Sequence, residues 1–364
     1  MILGASIVAV LCTVSYLISY HVLPILNSPT PTLDSDISSL PEELRDWESK
    51  GTYHNIHSHR VFGMVLKPKR QMHASTYVLL HGYPSSSHEY SYGGADTLTK
   101  LGYNVVMHDH IGFGFSDKPV HGFGYSVQDH ADVALAYWKE IGLSGDCLFV
   151  AHDMGDSILN EILARYDRDT ATLPSGMRIK GVVFSNGGMS LQGANPRLSQ
   201  RIMMSHYGEA FNKLTTGLDA NHVVFRQQLG SVFASHIRAA SGESSVGRMR
   251  NHQMNMMMDL LYFKGGIHLL WKTIRYIHDR HACEDRWLSA LSRVGKSIPV
   301  YFLWGQDDAV APPVIPHLVI ARSNLTYSNG NQLEPTFLPK RGHFLMMEEG
   351  DGISWAEAIV DLTL

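Results

Sequence analysis

The chain places a carboxylate where it could attack a substrate directly. Asp153 follows a short apolar strand, Leu148–Val150, and precedes the helical pattern of Ser157–Tyr166, so a very tight turn must join them. Ala151 and Gly155 lie two positions to either side, which is the spacing of a turn that exposes a nucleophile. An ionised carboxylate suits displacement at a saturated carbon, giving an alkyl ester that water then cleaves. The alternative for an isolated Asp is an ordinary turn residue or helix cap.

Two residue types further along the chain could complete a catalytic set. Asp307 and Asp308 follow the apolar strand Ile298–Trp304, and His343 follows a last short strand, Pro335–Leu338. A histidine can activate water as a general base, and a carboxylate can hold its tautomer and stabilise its charged form. Taken alone, His343 is one of 21 histidines. The order nucleophile, acid, histidine makes the set informative.

Alternating strands and helices must position these residues. Apolar runs predict strands at Tyr77–Leu80, Asn104–Asp109 and Ile179–Asn186, and an amphipathic pattern predicts a helix at His130–Ile141. Residues 51–65 favour an edge hairpin at the start of the globular part. This alternation is typical of an α/β sheet domain.

The alternation stops between about Met189 and Val294, where the pattern is helical and rich in Met and aromatic residues. We interpret this region as a helical cap inserted into the sheet domain. A Met-rich face can adapt to varied apolar ligands, although the same residues could simply form the core of the cap.

The N-terminal segment is uncharged and almost continuously apolar over Ile2–Ile25, which is long enough to span a bilayer as a helix. We therefore predict an uncleaved membrane anchor at residues 1–26, followed by a linker at residues 27–46. A cleaved signal peptide is the alternative, but no Lys or Arg precedes the apolar stretch and the stretch is long for a signal. The helix is expected to end, and the extended linker to begin, at Pro24, Pro29 and Pro31.

Composition narrows the class of protein. The net charge of −4 gives no basic excess for nucleic acid, and Cys12, Cys147 and Cys283 form neither a CxxC pair nor a metal-type spacing. The glycine-rich stretch Gly112–Pro119 does not match a dinucleotide loop and is interpreted as structural, with Asp117 capping or pairing locally. We expect no cofactor and no metal.

Taken together, these motifs resemble the α/β-hydrolase superfamily, in the branch of epoxide hydrolases and haloalkane dehalogenases. The resemblance begins at about Trp47 and implies a core at residues 47–188 and 295–364 with a mostly parallel central sheet, helices on both faces and an inserted cap at residues 189–294. The motifs that carry it are His81–Pro84 with the serines after it, Val105–Asp109, Gly112–Pro119, His152–Asp156 and Ser185–Gly188.

The resemblance also implies a role for each candidate residue. Asp153 would be the nucleophile, and the spacing Trp-Gly-X-X-Asp selects Asp308 over its neighbour as the acid that orients His343, the general base. The backbone amides of Tyr83 and Met154 would form the oxyanion hole.

Departures from the pattern separate the sister activities. Haloalkane dehalogenases hold the halide with a Trp directly after the nucleophile, but this chain has Met154 there and Tyr83 in the His-Gly-X-Pro slot. Neither side chain supplies the missing indole or amide N–H, so dehalogenation is disfavoured. Epoxide hydrolases open the ring with cap tyrosines, and the candidates of suitable type are Tyr207, Tyr262 and Tyr276.

The leading hypothesis is a membrane-anchored hydrolase that acts on an apolar or lipid-like small molecule through an alkyl-enzyme ester. Two alternatives stay open: an acyl-ester hydrolase or acyltransferase, and a non-catalytic membrane protein that binds a ligand or partner. Within the branch the likeness is greatest to membrane-associated proteins of the endoplasmic reticulum, which implies that location. The natural substrate, the orientation in the membrane, cleavage of the anchor and the oligomeric state are not determined by the sequence.

Overall fold

An eight-stranded sheet forms the centre of the fold. The structure, a computed structural model, describes residues 13–30, 36–189, 196–217, 220–327, 330–348 and 353–364. The strand order is β1-β2-β4-β3-β5-β6-β7-β8; β2 runs antiparallel to both of its neighbours, and the other pairs are parallel. The strands are β1 Thr52–Ile56, β2 His59–Leu66, β3 Thr76–Leu80, β4 Asn104–His108, β5 Gly145–His152, β6 Met177–Ser185, β7 Val300–Gly305 and β8 Thr336–Leu338.

Helices pack around this sheet and form the cap. The pair α3 and α14 pack together, while α4 packs against α5 and α5 against α12. The α-helices are α1 Leu23–Asn27, α2 Glu42–Ser49, α3 Gly94–Lys100, α4 Val127–Glu140, α5 Met154–Tyr166, α6 Leu198–Met204, α7 Gly208–Gly217, α8 Ala220–Gly230, α9 Ser235–Ala239, α10 Ser245–Tyr262, α11 Leu270–Thr273, α12 Tyr276–Val294, α13 Val314–Ser323 and α14 Ile353–Thr363.

The predicted strands are all present, and the mostly parallel α/β architecture is confirmed. Every residue of β3 is buried, which explains its continuous apolar run: a strand in the middle of a parallel sheet has no solvent face. The edge hairpin pairs β1 with β2 in antiparallel register, Tyr53 opposite Phe62. The carboxyl ends of the parallel strands therefore meet at one edge of the sheet, where the candidate residues lie.

The cap occupies the chain between β6 and β7. Its described helices are α6 to α12, and no strand lies among its described residues. The longest of them, α12, packs along α5, the helix that begins directly after Asp153. Glu161 of α5 accepts hydrogen bonds from Trp287 and Arg286 of α12, which fixes the position of α12 over the site.

The glycine-rich stretch after β4 is structural, as expected. Asp117 accepts a hydrogen bond from the amide of Arg60 at 2.7 Å, and Asp109 accepts from the amides of Ser87 and Phe115 at 2.8 and 2.7 Å. These bonds tie the ends of three loops together beneath the site.

The packed part of the chain begins before Trp47. Leu40 is buried, and α2 buries Leu44 and Trp47 on the core, so the second half of the region predicted as a linker carries structure of its own. Pro41 directly precedes the first residue of α2. A backbone N–H at this position would have no partner within the helix, so the missing N–H of proline costs no hydrogen bond.

The N-terminal segment is helical over residues 13–27 and packs against the cap helix α7. The expectation that Pro24 ends this helix is wrong: Pro24 lies in the first turn of α1, directly after a π-helical turn at Ile18–Val22, and needs no amide partner there. The helix ends at Asn27, before Pro29.

The anchor prediction rests partly on residues outside the described ranges, because residues 1–12 are among those that the structure does not describe. From Thr13 onward, no helix in the described residues combines the length and the apolarity needed to cross a bilayer.

Candidate active site

The turn at Asp153 is as tight as the sequence predicts. Strand β5 ends at His152 and α5 begins at Met154, which leaves Asp153 alone in the turn at φ 46° and ψ −104°. A non-glycine residue in this region of backbone space is strained, and such strain is characteristic of functional sites. A side chain at Gly155 would collide with the carbonyl oxygen of Leu80, so the close approach of α5 to β3 requires glycine.

Three donors surround the buried carboxylate of Asp153. The amide of Tyr83 donates to Oδ2 at 3.1 Å, the hydroxyl of Tyr276 donates to Oδ2 at 3.2 Å, and Nη2 of Arg280 lies 3.2 Å from Oδ1. Burial alone raises the pKa of Asp153, but the charge of Arg280 and the two neighbouring imidazoles outweigh it and hold the pKa below its usual value. Asp153 is therefore a carboxylate at neutral pH.

The predicted acid and histidine lie side by side. Nδ1 of His343 is 2.9 Å from Oδ2 of Asp308, and Oδ1 of Asp308 accepts from the amides of Val310 and Ala311 at 2.7 and 2.9 Å. Because a carboxylate only accepts, Nδ1 donates the proton of this hydrogen bond, and Nε2 is the ring nitrogen that can act as a base. His343 and Asp153 line the same cavity.

The neighbouring carboxylate is engaged elsewhere. Asp307 accepts a hydrogen bond from the hydroxyl of Ser235 at 2.9 Å and has no contact with His343 among the described residues. The structure therefore pairs Asp308, rather than Asp307, with the histidine.

One of the two predicted oxyanion donors faces the carboxylate. The amide of Tyr83 reaches Oδ2 of Asp153 because the chain turns at Gly82, where a side chain would meet the ring of His152 and Cβ of Asp153 at 2.8 and 2.9 Å. The amide of Met154 donates no hydrogen bond to that carboxylate among the described contacts. Its part in an oxyanion hole stays a prediction.

Of the three cap tyrosines, one lies at the site. Tyr276 is the first residue of α12 and is buried against Asp153. Tyr207 is 64 % exposed, and Tyr262, the last residue of α10, is half-buried and does not line the cavity. The expectation that Tyr207 and Tyr262 contact the substrate has no support in their positions.

Arg280 is the functional residue that sequence reasoning missed. It is only 5 % exposed, and it donates from Nε to the Ser157 hydroxyl and from Nη2 to the Asp153 carbonyl, both at 2.6 Å. Its guanidinium also lies 4.5 Å from the ring centre of Tyr276. Residues four apart share one face of a helix, so the spacing of Tyr276 and Arg280 is the signal that could have found it.

A second buried charge lies directly before Asp153. Nδ1 of His152 is 3.0 Å from Oε1 of Glu89, and Nε2 is 3.0 Å from the carbonyl oxygen of His343. Burial lowers the pKa of His152, but the Glu89 carboxylate outweighs this effect and raises the pKa to about 9. The site therefore contains two cations close to Asp153: Arg280, which bonds to it, and His152, which precedes it in the chain.

The cavity above Asp153 is largely apolar. Its volume is about 80 Å³, enough for a small reactive group and several waters. Apart from Asp153 and His343, the one ionisable side chain among its described lining residues with a permanent charge is Arg197. The wall facing Asp153 consists chiefly of cap residues, including Met203, Phe211, Phe225, Leu229 and Ile274.

Four buried histidines pack together next to the turn at Gly82. The amide of His110 donates to Nε2 of His81 at 2.9 Å, and the rings of His108 and His130 pack close to that of His110. Burial lowers the pKa of His81, His108 and His130 to about 3, so these rings are neutral. No group of His, Cys, Asp or Glu in the described ranges has an arrangement that could hold a metal ion.

The comparisons with known proteins agree with this geometry. The family model for the α/β hydrolase fold matches residues 78–349. The chain belongs to the α/β-hydrolase family. The resemblance and the fold class predicted from the motifs are thereby confirmed.

Curated relatives match a large part of the chain. Mesoderm-specific transcript homolog proteins of Bos taurus and Homo sapiens are each 30% identical to the chain over 281 residues, which is 75% of this chain and 76% of theirs. The putative hydrolase LipZ of Mycobacterium tuberculosis is 31% identical over 238 residues, 65% of this chain and 73% of its own. The chain is a hydrolase of the α/β family.

A solved structure extends the likeness to the whole fold. The haloalkane dehalogenase DbeA of Bradyrhizobium elkani superposes with a TM-score of 0.61 at 18% identity, over 86% of this chain and 98% of its own. At this identity the likeness shows the architecture, and the chemistry must be argued from the site itself.

Proposed function

We propose that the protein hydrolyses an epoxide-like substrate through an alkyl ester on Asp153. The observation that carries the proposal is the ionised Asp153 carboxylate beneath the Tyr276 hydroxyl, in the same cavity as the Asp308–His343 pair. A carboxylate attacks carbon, a phenol donates a proton to oxygen, and an oriented imidazole activates water.

The first half-reaction forms the ester. A carboxylate oxygen of Asp153 attacks a ring carbon, the carbon–oxygen bond of the ring breaks, and the oxygen leaves with the electron pair. Tyr276 supplies the proton that makes this oxygen a hydroxyl. Burial, followed by the charge of Asp153, raises the pKa of Tyr276 well above its usual value, and esterification of Asp153 removes the second of these causes. The phenol thus becomes a better acid as the ester forms.

The second half-reaction releases the product. His343 takes a proton from water, hydroxide adds to the ester carbonyl, and the Tyr83 amide donates to the resulting oxyanion. Collapse breaks the bond between the carbonyl carbon and the alkyl oxygen, which restores the Asp153 carboxylate and releases a diol. The proton on His343 returns to the Tyr276 phenolate, so the sum is epoxide plus water giving diol.

Trapping tests this function. The His343→Gln protein incubated with a panel of terminal and internal epoxides should accumulate one adduct per chain, located by mass spectrometry on the peptide that contains Asp153. The Asp307→Asn protein is the matched control, because Asp307 bonds to Ser235 instead, and it should turn over without accumulating the adduct. No adduct across the panel, or an adduct that survives Asp153→Asn, contradicts the mechanism.

An apolar or lipid-like substrate, and a membrane location, belong to the same proposal. Their support is the apolar cap wall of the cavity and the uncharged N-terminal stretch Ile2–Ile25. The full chain should stay with endoplasmic-reticulum membranes through a high-pH carbonate wash, whereas a chain lacking residues 1–26 should be released. Release of the full chain by carbonate contradicts an integral anchor.

A further inference from the structure

Arg280 pairs with the carboxylate of Asp153. The guanidinium reaches Oδ1 of Asp153 at 3.2 Å, while Oδ2 accepts from Tyr83 and Tyr276. Both carboxylate oxygens are thus held by donors. Attack on carbon requires one oxygen to be released, and Arg280 is the donor whose own function the ester mechanism leaves unexplained.

With a neutral substrate, formation of the ester would leave the charge of Arg280 unbalanced. When Asp153 becomes an ester it loses its charge, and the other hydrogen-bond partners of Arg280 among the described residues are neutral: the Ser157 hydroxyl and the Asp153 carbonyl. Asp156 makes no hydrogen bond or ion pair with Arg280 among the described residues, and burial raises its pKa well above the usual value despite the charge of Arg280. A buried cation without an anion is strongly unfavourable.

The cavity favours an anion in the same place. Asp153 is the only carboxylate among the described lining residues, and Arg197 lies in the same lining. Arg280 pairs with Asp153, whereas the charge of His152 is already balanced by Glu89. An anion that displaces Asp153 therefore meets the guanidinium of Arg280, next to a largely apolar wall that contains Arg197. That combination fits an amphiphile with its charged end at the reacting centre.

We propose that the substrate is an amphiphilic anion, with a carboxylate or phosphate oxygen within a few bonds of the reacting carbon, and that this oxygen takes Arg280 from Asp153 as the substrate binds. The proposal rests on the ester mechanism above and names the substrate class for the same site. Binding of the anion frees Oδ1 for attack and keeps Arg280 paired after Asp153 has become an ester.

Binding without chemistry tests the proposal. Octanoate, octanamide and octyl phosphate share one apolar chain and differ in the head group, and their affinities are measured by calorimetry on wild type and on the Asp153→Asn protein. In the Asp153→Asn protein Arg280 has lost its internal anion, so octanoate should bind about tenfold more tightly than octanamide and more tightly than it binds wild type. The affinity of octyl phosphate relative to that of octanoate shows whether the site prefers a phosphate or a carboxylate head group.

Substitutions of two arginines on α12 test whether Arg280 is the residue that binds the anion. Arg280→Gln, alone and with Asp153→Asn, should abolish the preference for octanoate over octanamide. Arg286→Gln should keep it, because Arg286 is on α12 but pairs with Glu161 outside the cavity. If Asp153→Asn does not fold, the same ligands are compared on wild type and Arg280→Gln. The preference of wild type for octanoate is then expected to be smaller, because the Asp153 carboxylate competes with octanoate for Arg280.

Two results overturn the proposal: equal binding of the acid and the amide, or a preference that survives Arg280→Gln. Neither depends on turnover. An adduct on Asp153 from neutral epoxides together with equal binding would refute the anionic substrate and leave the ester mechanism standing. A preference for octanoate without any adduct would support the anion site and refute the ester mechanism.

Discussion

His152, which directly precedes Asp153, forms a buried pair with Glu89, with 3.0 Å between Nδ1 and Oε1. The other ring nitrogen of His152 faces the carbonyl oxygen of His343, also at 3.0 Å. Since both partners can only accept, both nitrogens must donate, and His152 is an imidazolium. One side chain thus joins the turn at Asp153 to the short helical turn that contains Glu89 and to the loop that carries His343.

This pair predicts a dependence of stability on pH. The pKa of His152 is raised from 6.5 to about 9, so its contribution to the free energy of unfolding is full below pH 6.5 and is lost as the pH rises through 9. The loss should approach about 3 kcal/mol. Urea unfolding of wild type and His152→Gln at pH 6.5, 8 and 9.5 measures it, because the difference between the two proteins isolates this group. A difference that does not shrink with rising pH would show that the imidazolium is not the stabilised form.

Replacing the Tyr276 hydroxyl should slow ring opening. Tyr276→Phe keeps the ring over Arg280 and removes the proton donor, so the rate of adduct formation on Asp153 should fall by roughly 100-fold. The measurement is single-turnover mass spectrometry on a His343→Gln background. Tyr207→Phe and Tyr262→Phe are matched controls from the same cap and should leave the rate unchanged, because neither residue lines the cavity. An equal effect of all three changes would mean that the cap, and not the phenol, is responsible.

Removing the carboxylate that orients His343 should separate the two half-reactions. Asp308→Asn can no longer fix the protonated Nδ1, so ester hydrolysis should fall by roughly 10³-fold while ester formation continues. Rapid-quench measurements should then show a burst of one adduct per chain followed by slow turnover. Asp307→Asn, one residue away, should behave like wild type. If Asp307→Asn shows the burst and Asp308→Asn behaves like wild type, Asp308 does not orient His343 in solution.

Gly155, two residues after Asp153, should tolerate no side chain. In Gly155→Ala the new methyl would collide with the carbonyl of Leu80, and the free energy of unfolding should fall by about 1–3 kcal/mol. Adduct formation should fall as well, because α5 must move to relieve the collision. Gly242→Ala is the control: its methyl would meet only the Asn251 side chain at 3.5 Å, and stability should change by less than about 0.5 kcal/mol. Equal denaturation midpoints for the two variants would contradict the close approach.

Most of the fold and the main residues of the site can be predicted from short stretches of the sequence. The strands are short apolar runs that end at turn residues, and the turn at Asp153 is defined by small residues at fixed spacing, so both follow from sequence neighbours. Asp308 was likewise selected by its distance from Trp304, and the structure places it on His343. These inferences need no knowledge of how distant parts of the chain pack.

Arg280, His152 and Glu89 were not predicted, for a common reason. Each depends on a partner far along the chain: Arg280 meets Asp153 only because α12 packs on α5, and Glu89 meets His152 across 63 positions. The choice of Tyr276 over Tyr207 and Tyr262 has the same origin. Residue type indicated that a cap tyrosine could serve, but only the packing of the cap decides which one reaches Asp153.

Helix α7 is shared by the cavity and the N-terminal segment. Phe211 and Thr215 line the cavity, while Lys213 donates to the carbonyl of Leu26 and Gly217 lies against Ile25. A chain shortened to begin at Trp47 therefore replaces a packed outer surface of α7 with water. Affinities measured on such a chain describe a cavity with an unsupported wall, and kinetic constants can be compared only between preparations that retain residues 13–27.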